Sequence, residues 1–327
     1  MKDGPVIGVL RNPRSTLNLR APPPPAPPGT LVRVAERRGA AEAALAELLA
    51  ARPDAIAVDG GDGTVGDVLS HLPELAGGAP PPVAILPRGN TNLIARAAGG
   101  WPGADGLWDL RAALAAGAAR PVPRPVLELR RDGAPVRRGM ILGWGAYAEA
   151  TRIARDEIEA RGGGQVALAI LRTLRRALAG PEAARLRAGV AADLAVDGAP
   201  AASCPRLLGV VTAIQGRLLR GLEPFWGAGA GPLRWLDVAA PGRRLALAAP
   251  FAAIGRPRPW MQRAGYRSGR AARLDIDLAT PFVLDGEQTD PPADGRLSLS
   301  ATTRIRFVAP AAGAGAPSDP PVERTAP

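Results

Sequence analysis

The chain has 327 residues, 46% hydrophobic and only 4% aromatic, with a formal net charge of +11. Its one cysteine, Cys204, and one histidine, His71, rule out an intramolecular disulfide and a Cys/His zinc cluster. Lys2 is the sole lysine, so no interior lysine serves a Walker A loop, a protein-kinase strand or a Schiff base.

Length and apolar content fit two domains with packed cores. PVIGVL at 5–10 reads as a buried strand, and RNPRST at 11–16 turns the chain. APPPPAPPG at 21–29 suits neither a helix nor a central strand and is a stiff loop. LVRVAE at 31–36 is a strand, AAEAALAELLAARP at 40–53 a helix, and DAIAVDGG a second buried strand. A short helix is predicted from Thr64 to Leu72, a strand at 81–87 (PPVAILP), and helices at 91–98 and 107–116. Short alternating strands and helices predict a three-layer α/β domain with a parallel sheet over residues 1–120.

After RPVPRP at 120–125 the pattern changes. VLELRRDG, VRRGMILGW, LAVDG, RLLGVVTAI, LRWLDVAA, ARLDIDLA, PFVLDG, RLSLSA and TRIRFVA are strand-like, several alternating apolar with polar residues. Only 147–160 and 165–179 read as long helices. A β-rich, sandwich-like second domain is therefore expected over 121–309, followed by a disordered tail at 310–327.

GGDGT at 60–64 closes a strand and opens a helix. Free N–H groups at a helix start attract anions, and glycines let a phosphate approach the backbone. Asp62 in that surface turn suits a site where Mg²⁺ bridges acid and phosphate, or where the acid takes a proton from an incoming hydroxyl. ILPRGNTNLIARAAG at 85–99 repeats the pattern, which places two glycine turns on the carboxyl edge of one sheet.

VDGGDGTVGDVL resembles the GGDGT motif of the diacylglycerol kinase catalytic superfamily. RNPRST, PRGNTNLIAR, GWGAYAEA and FVLDGE resemble its other motifs, in the family's order. The resemblance implies an ATP-binding domain, a lipid-offering domain and a cleft between them. It also implies that Gly60, Gly61, Gly63 and Thr64 cradle phosphates, Asn12 contacts the nucleotide, and Gly89 and Asn92 line its pocket. Asp62 would stand at the reacting centre, with Mg²⁺. Asp285 and Glu287 would reach in from the second domain, Glu287 as first choice for proton acceptor and Asp62 as rival. The sequence departs from the motifs at Gly66-Asp67, Asn90 and Leu93, which bears on metal placement and on activity.

The expected function is an ATP-dependent lipid kinase acting on a diacylglycerol- or sphingoid-like hydroxyl. The alternatives are a soluble-substrate kinase of the NAD-kinase type and a catalytically weak lipid- or nucleotide-binding regulator. Basic charge suggests anionic partners, here phospholipid headgroups. Scattered arginines and few aromatics disfavour nucleic acid. No apolar run approaches the roughly 20 residues of a membrane span, and MKDGPVIGVLRNP lacks a signal-peptide core. A cytoplasmic protein is expected, peripheral on the inner membrane face through helix 165–179 (QVALAILRTLRRALA), with homodimerisation open.

Overall fold

The structure is a computed structural model and describes residues 4–37, 39–152, 183–199, 204–216, 218 and 222–310. Its first elements are β1 (Ile7–Arg11), α1 (Thr16–Arg20), β2 (Thr30–Val34), α2 (Ala40–Ala50), β3 (Ala55–Gly60), α3 (Asp62–Ala76), β4 (Val83–Pro87), α4 (Leu93–Ala98), α5 (Gly106–Ala115) and β5 (Pro121–Pro125). Then come β6 (Leu127–Arg130), β7 (Arg137–Gly139), β8 (Ile141–Gly145), α6 (Ala183–Ala188), β9 (Ala192–Val196), β10 (Arg206–Thr212), β11 (Leu233–Ala239), α7 (Leu245–Ala253) and α8 (Pro259–Arg263). The chain ends with β12 (Tyr266–Ala271), β13 (Arg273–Leu278), β14 (Phe282–Leu284), β15 (Glu287–Thr289), β16 (Arg296–Ser300) and β17 (Arg304–Val308).

The first sheet runs β2-β1-β3-β4-β17-β5. All neighbours pair in parallel except β5, which is antiparallel to β17. Both faces are covered, so β3 is buried along its whole length. Leu45 and Leu48 of α2 and Val68, Leu69 and Leu72 of α3 pack on one face against Leu10, Ile56 and Val58. Leu107 and Leu110 of α5 pack on the other against Ile7, Val9, Ala57 and Ala84.

The β-rich part is a sandwich of two antiparallel sheets, β12-β11-β10-β8-β14-β15 and β7-β6-β16-β13-β9. Trp144, Phe282, Leu233, Leu274, Ile276 and Leu299 lie between them. The boundary drawn at residues 120 and 309 differs from the sheet topology. The proline-rich segment β5 and the terminal β17 belong to the first sheet, because β17 supplies the ladder partner that β4 would otherwise lack. The expected helix 165–179, the tail beyond Pro310 and the helix 147–160 past Arg152 lie outside the described residues.

The two parts are bound together. Val65, Leu69 and Leu72 share one buried cluster with Val126, Met140 and Ile141. The Arg138 guanidinium donates to Glu74 at 2.7 and 2.9 Å and to the Ser70 carbonyl at 2.9 Å. These contacts fix α3, and the turn before it, against β7 and β8.

Candidate active site

The carboxyl edge of the parallel sheet collects the predicted residues. β3 ends at Gly60, and Gly61 is the N-cap of α3, whose first turn holds Asp62. β4 ends at Pro87, leading to Gly89 and to Asn92, which caps α4 in the left-handed region at φ 49°. The two turns touch, since a Cβ on Gly89 would lie 2.8 Å from Gly61 Cα. Asn92 closes its turn on itself: its Oδ1 accepts from Gly89 N–H at 2.9 Å and its Nδ2 donates to Gly89 O at 2.7 Å. Asn12, after β1, donates through Nδ2 to Thr64 Oγ1 at 3.0 Å. That bond ties the first motif to the α3 start.

Asn12, Arg14, Gly61, Gly63, Thr64 and Gly89 line a cleft of about 460 Å³, whereas Gly60, Asp62 and Asn92, expected there, are not in its wall. Asp67 and Glu287 complete it. Glu287 belongs to β15, in the other domain, and lies against the α3 N-terminus so closely that any Cβ on Gly63 would collide with its Oε1. Arg137 stands 3.7 Å from the Glu287 carboxylate.

The other two predicted acids sit differently. Asp62 turns to α4 and accepts the N–H groups of Leu93 at 2.9 Å and Ile94 at 3.0 Å. Burial raises its pKa above the ordinary 3.8, against those bonds. It is therefore not the exposed turn acid the sequence suggested; it anchors the second glycine turn to the first. Asp285 has φ 48° and accepts from Met140 N–H at 3.0 Å and Ile141 N–H at 2.9 Å. Burial pushes it up to about 7, with the charge of Asp62 adding to the shift. Asp285 thus holds the β14–β15 hairpin, from which Glu287 projects, to the start of β8. The Tyr147 hydroxyl is lifted by burial first, then by the charges of Asp285 and Asp62.

Sequence reasoning passed over Asp59. It is fully buried at the end of β3 and binds Arg11 Nε at 2.6 Å, Arg88 Nε at 3.3 Å and Asn18 Nδ2 at 3.1 Å. One carboxylate thereby ties the loops after β1 and β4 to β3. The visible signal was an acid in an otherwise apolar strand, beside two arginines in glycine- and proline-rich turns.

Residues 27–123 match the family model described as the diacylglycerol kinase catalytic domain. The match covers less than a third of the chain. Such a domain implies a kinase. The match stops short of Asp285 and Glu287, whose place rests on the geometry above. The fold is similar to that of a candidate diacylglycerol kinase from Bacillus anthracis strain Sterne, at 18% identity and TM-score 0.62, covering 95% of this chain and 98% of that one. A second structure from that strain, titled a diacylglycerol kinase, is 16% identical with TM-score 0.56, over 94% of this chain and 98% of that one. No curated protein matches the sequence.

Proposed function

We propose that the protein transfers the γ-phosphoryl group of ATP to a hydroxyl of a diacylglycerol- or sphingoid-like lipid. The observation that carries this reading is the position of Glu287: an acid from the β-rich domain lies against the glycine turn of the family-matched domain. Two partners from two domains meet where phosphate and acceptor would meet.

In this reading the cleft takes the nucleoside triphosphate. Gly61, Gly63 and Gly89 stand in the cleft wall, where the first N–H groups of α3 would meet phosphate oxygens. Asn12 and Thr64, hydrogen-bonded to each other, stand beside them in the same wall. A bound Mg²⁺ would neutralise phosphate charge. Asp67 is the α3 carboxylate that lines the cleft and would be its candidate contact, whereas Asp62 is turned to α4; among the described residues no cluster of three acidic, histidine or cysteine ligands forms a metal site by itself. Glu287 takes the proton of the lipid hydroxyl while that oxygen bonds to the γ-phosphorus. The bond from phosphorus to the bridging oxygen breaks, and ADP leaves. Positioning and charge neutralisation supply most of such catalysis, so the lack of an interior lysine is no obstacle.

The test is incubation with γ-labelled ATP and a detergent-solubilised total lipid extract. Label in the organic phase supports the reading. Label confined to water-soluble products indicates a soluble-substrate kinase, and no transfer at all indicates a binding protein; either result overturns the lipid-kinase reading.

A further inference from the structure

α7 has the sequence LALAAPFAA, without one polar side chain. A helix apolar all round belongs in a core or in lipid, yet α7 lies on the surface. It buries Leu245 and Ala248, which pack in one cluster with Leu207, Leu236, Val238 and Met261. Leu247 is 53% exposed, and Ile254, the C-cap, is 50% exposed. At 3.6 residues per turn, Leu247, Pro250 and Ile254 fall on one outward stripe.

The surroundings of this stripe are cationic. From Val238 to Leu274 the chain holds eight arginines and no Asp or Glu. Six of them are exposed; Arg273 pairs with Asp275, and the other five, Arg243, Arg244, Arg256, Arg258 and Arg263, lie in or beside α7 and α8. Two are held in place by rings: Arg244 lies 5.6 Å from the Trp260 centroid and Arg258 4.6 Å from that of Phe251. Glu223, bonded through its backbone N–H to Ala253 O, turns its carboxylate to Arg234 instead. The cationic rim is therefore not neutralised by that neighbour.

The geometry points to a docking surface for an anionic phospholipid bilayer on α7 and α8. Leu247 and Ile254 enter the acyl boundary, and the exposed arginines meet the headgroup phosphates. The inference rests on the lipid-kinase reading for its purpose, and on charge and exposure for its location. α7 packs into the same buried cluster that joins α3 to Met140 and Ile141, so the docking surface and the catalytic domain lie on one face of the β12–β15 sheet. Pairing with a second copy about a two-fold axis would set the five exposed arginines against their equivalents, which opposes self-association.

The test uses the full chain and vesicle sedimentation without ATP. Vesicles of phosphatidylcholine are compared with vesicles that also contain phosphatidylglycerol, at low and high salt. Binding is expected only to the anionic vesicles and should weaken with salt. Arg243→Gln with Arg256→Gln should weaken it by about fivefold per arginine. Leu247→Glu with Ile254→Glu should abolish it, with circular dichroism unchanged. Equal binding to neutral vesicles, no binding, or wild-type binding by both variants overturns the proposal. So does a dimer, seen by sedimentation, that Leu247→Glu with Ile254→Glu dissociates while vesicle binding persists. Transfer to detergent-solubilised lipid is measured alongside: both variants should retain it while losing transfer to vesicles. Absent transfer in detergent would refute the kinase reading and leave the vesicle result standing on its own.

Discussion

Glu287 and Asp62 make opposite demands on their oxygens. Glu287 faces the cleft beside Arg137, whereas Asp62 is committed to two backbone donors. Glu287→Gln should therefore leave ATP affinity within a few-fold and lower turnover by roughly 10²–10⁴-fold, the usual weight of a general base. Equilibrium nucleotide binding and steady-state turnover separate the two effects; lost ATP binding would make Glu287 a nucleotide residue. Asp62→Asn keeps the shape, but an amide accepts through one atom only, so Leu93 or Ile94 loses its partner. We expect a loss of about 1–3 kcal/mol in denaturant unfolding, together with reduced transfer. Asp285 titrates at about 7 when folded, above the ordinary 3.8. The folded protein thus holds this proton more tightly than the unfolded chain. Its stabilising contribution is complete below the unfolded value and is lost as pH rises through about 7. Thermal melts of wild type should lose stability across that window, and Asp285→Asn should flatten the dependence. An unchanged slope would contradict the assignment.

At the scale of elements, the glycines are the parts that tolerate least. Gly63 leaves room for the Glu287 carboxylate, so Gly63→Ala should push that carboxylate aside and lower turnover more than stability, which paired activity and melting measurements would show. The buried strands were legible because β3 and β4 are apolar runs of strand length, and the β-rich half because RLSLS and RIRFV alternate. β12 was not legible: YRSGRA presents arginines where alternation would place apolar residues, and its strand state comes from pairing with β11. α7 escaped because a segment of alanine, leucine and proline carries no helical period. Within the site, the sequence placed Asn12, Gly61, Gly63, Thr64, Gly89 and Glu287 around one cleft. It did not show that Asp62 points to α4 or that Asp59 gathers Arg11 and Arg88. Those contacts span roughly thirty to fifty residues, a range at which neither spacing nor propensity speaks.

For the whole molecule, α3 is the shared element: it opens the glycine turn, packs on the first sheet and binds β7 through Glu74 and Ser70. Calorimetry should therefore show a single unfolding transition. Arg138→Ala, which removes the charge-assisted bonds of that junction, should lower stability by about 2 kcal/mol; two separated transitions in wild type would mean independent domains. The return of β17 into the first sheet carries a consequence for biosynthesis. Trp101 donates its indole N–H to Val308 O at 2.9 Å, and β4 receives its outer partner from the last described strand. On the ribosome, the first sheet must wait, with the β4 edge unpaired, until β17 has emerged. A nascent chain arrested before Arg304 would lack that closure, and its open edge would invite capture by chaperones. The completed first sheet, and the site at its edge, is thereby withheld until the β-rich part has also been synthesised.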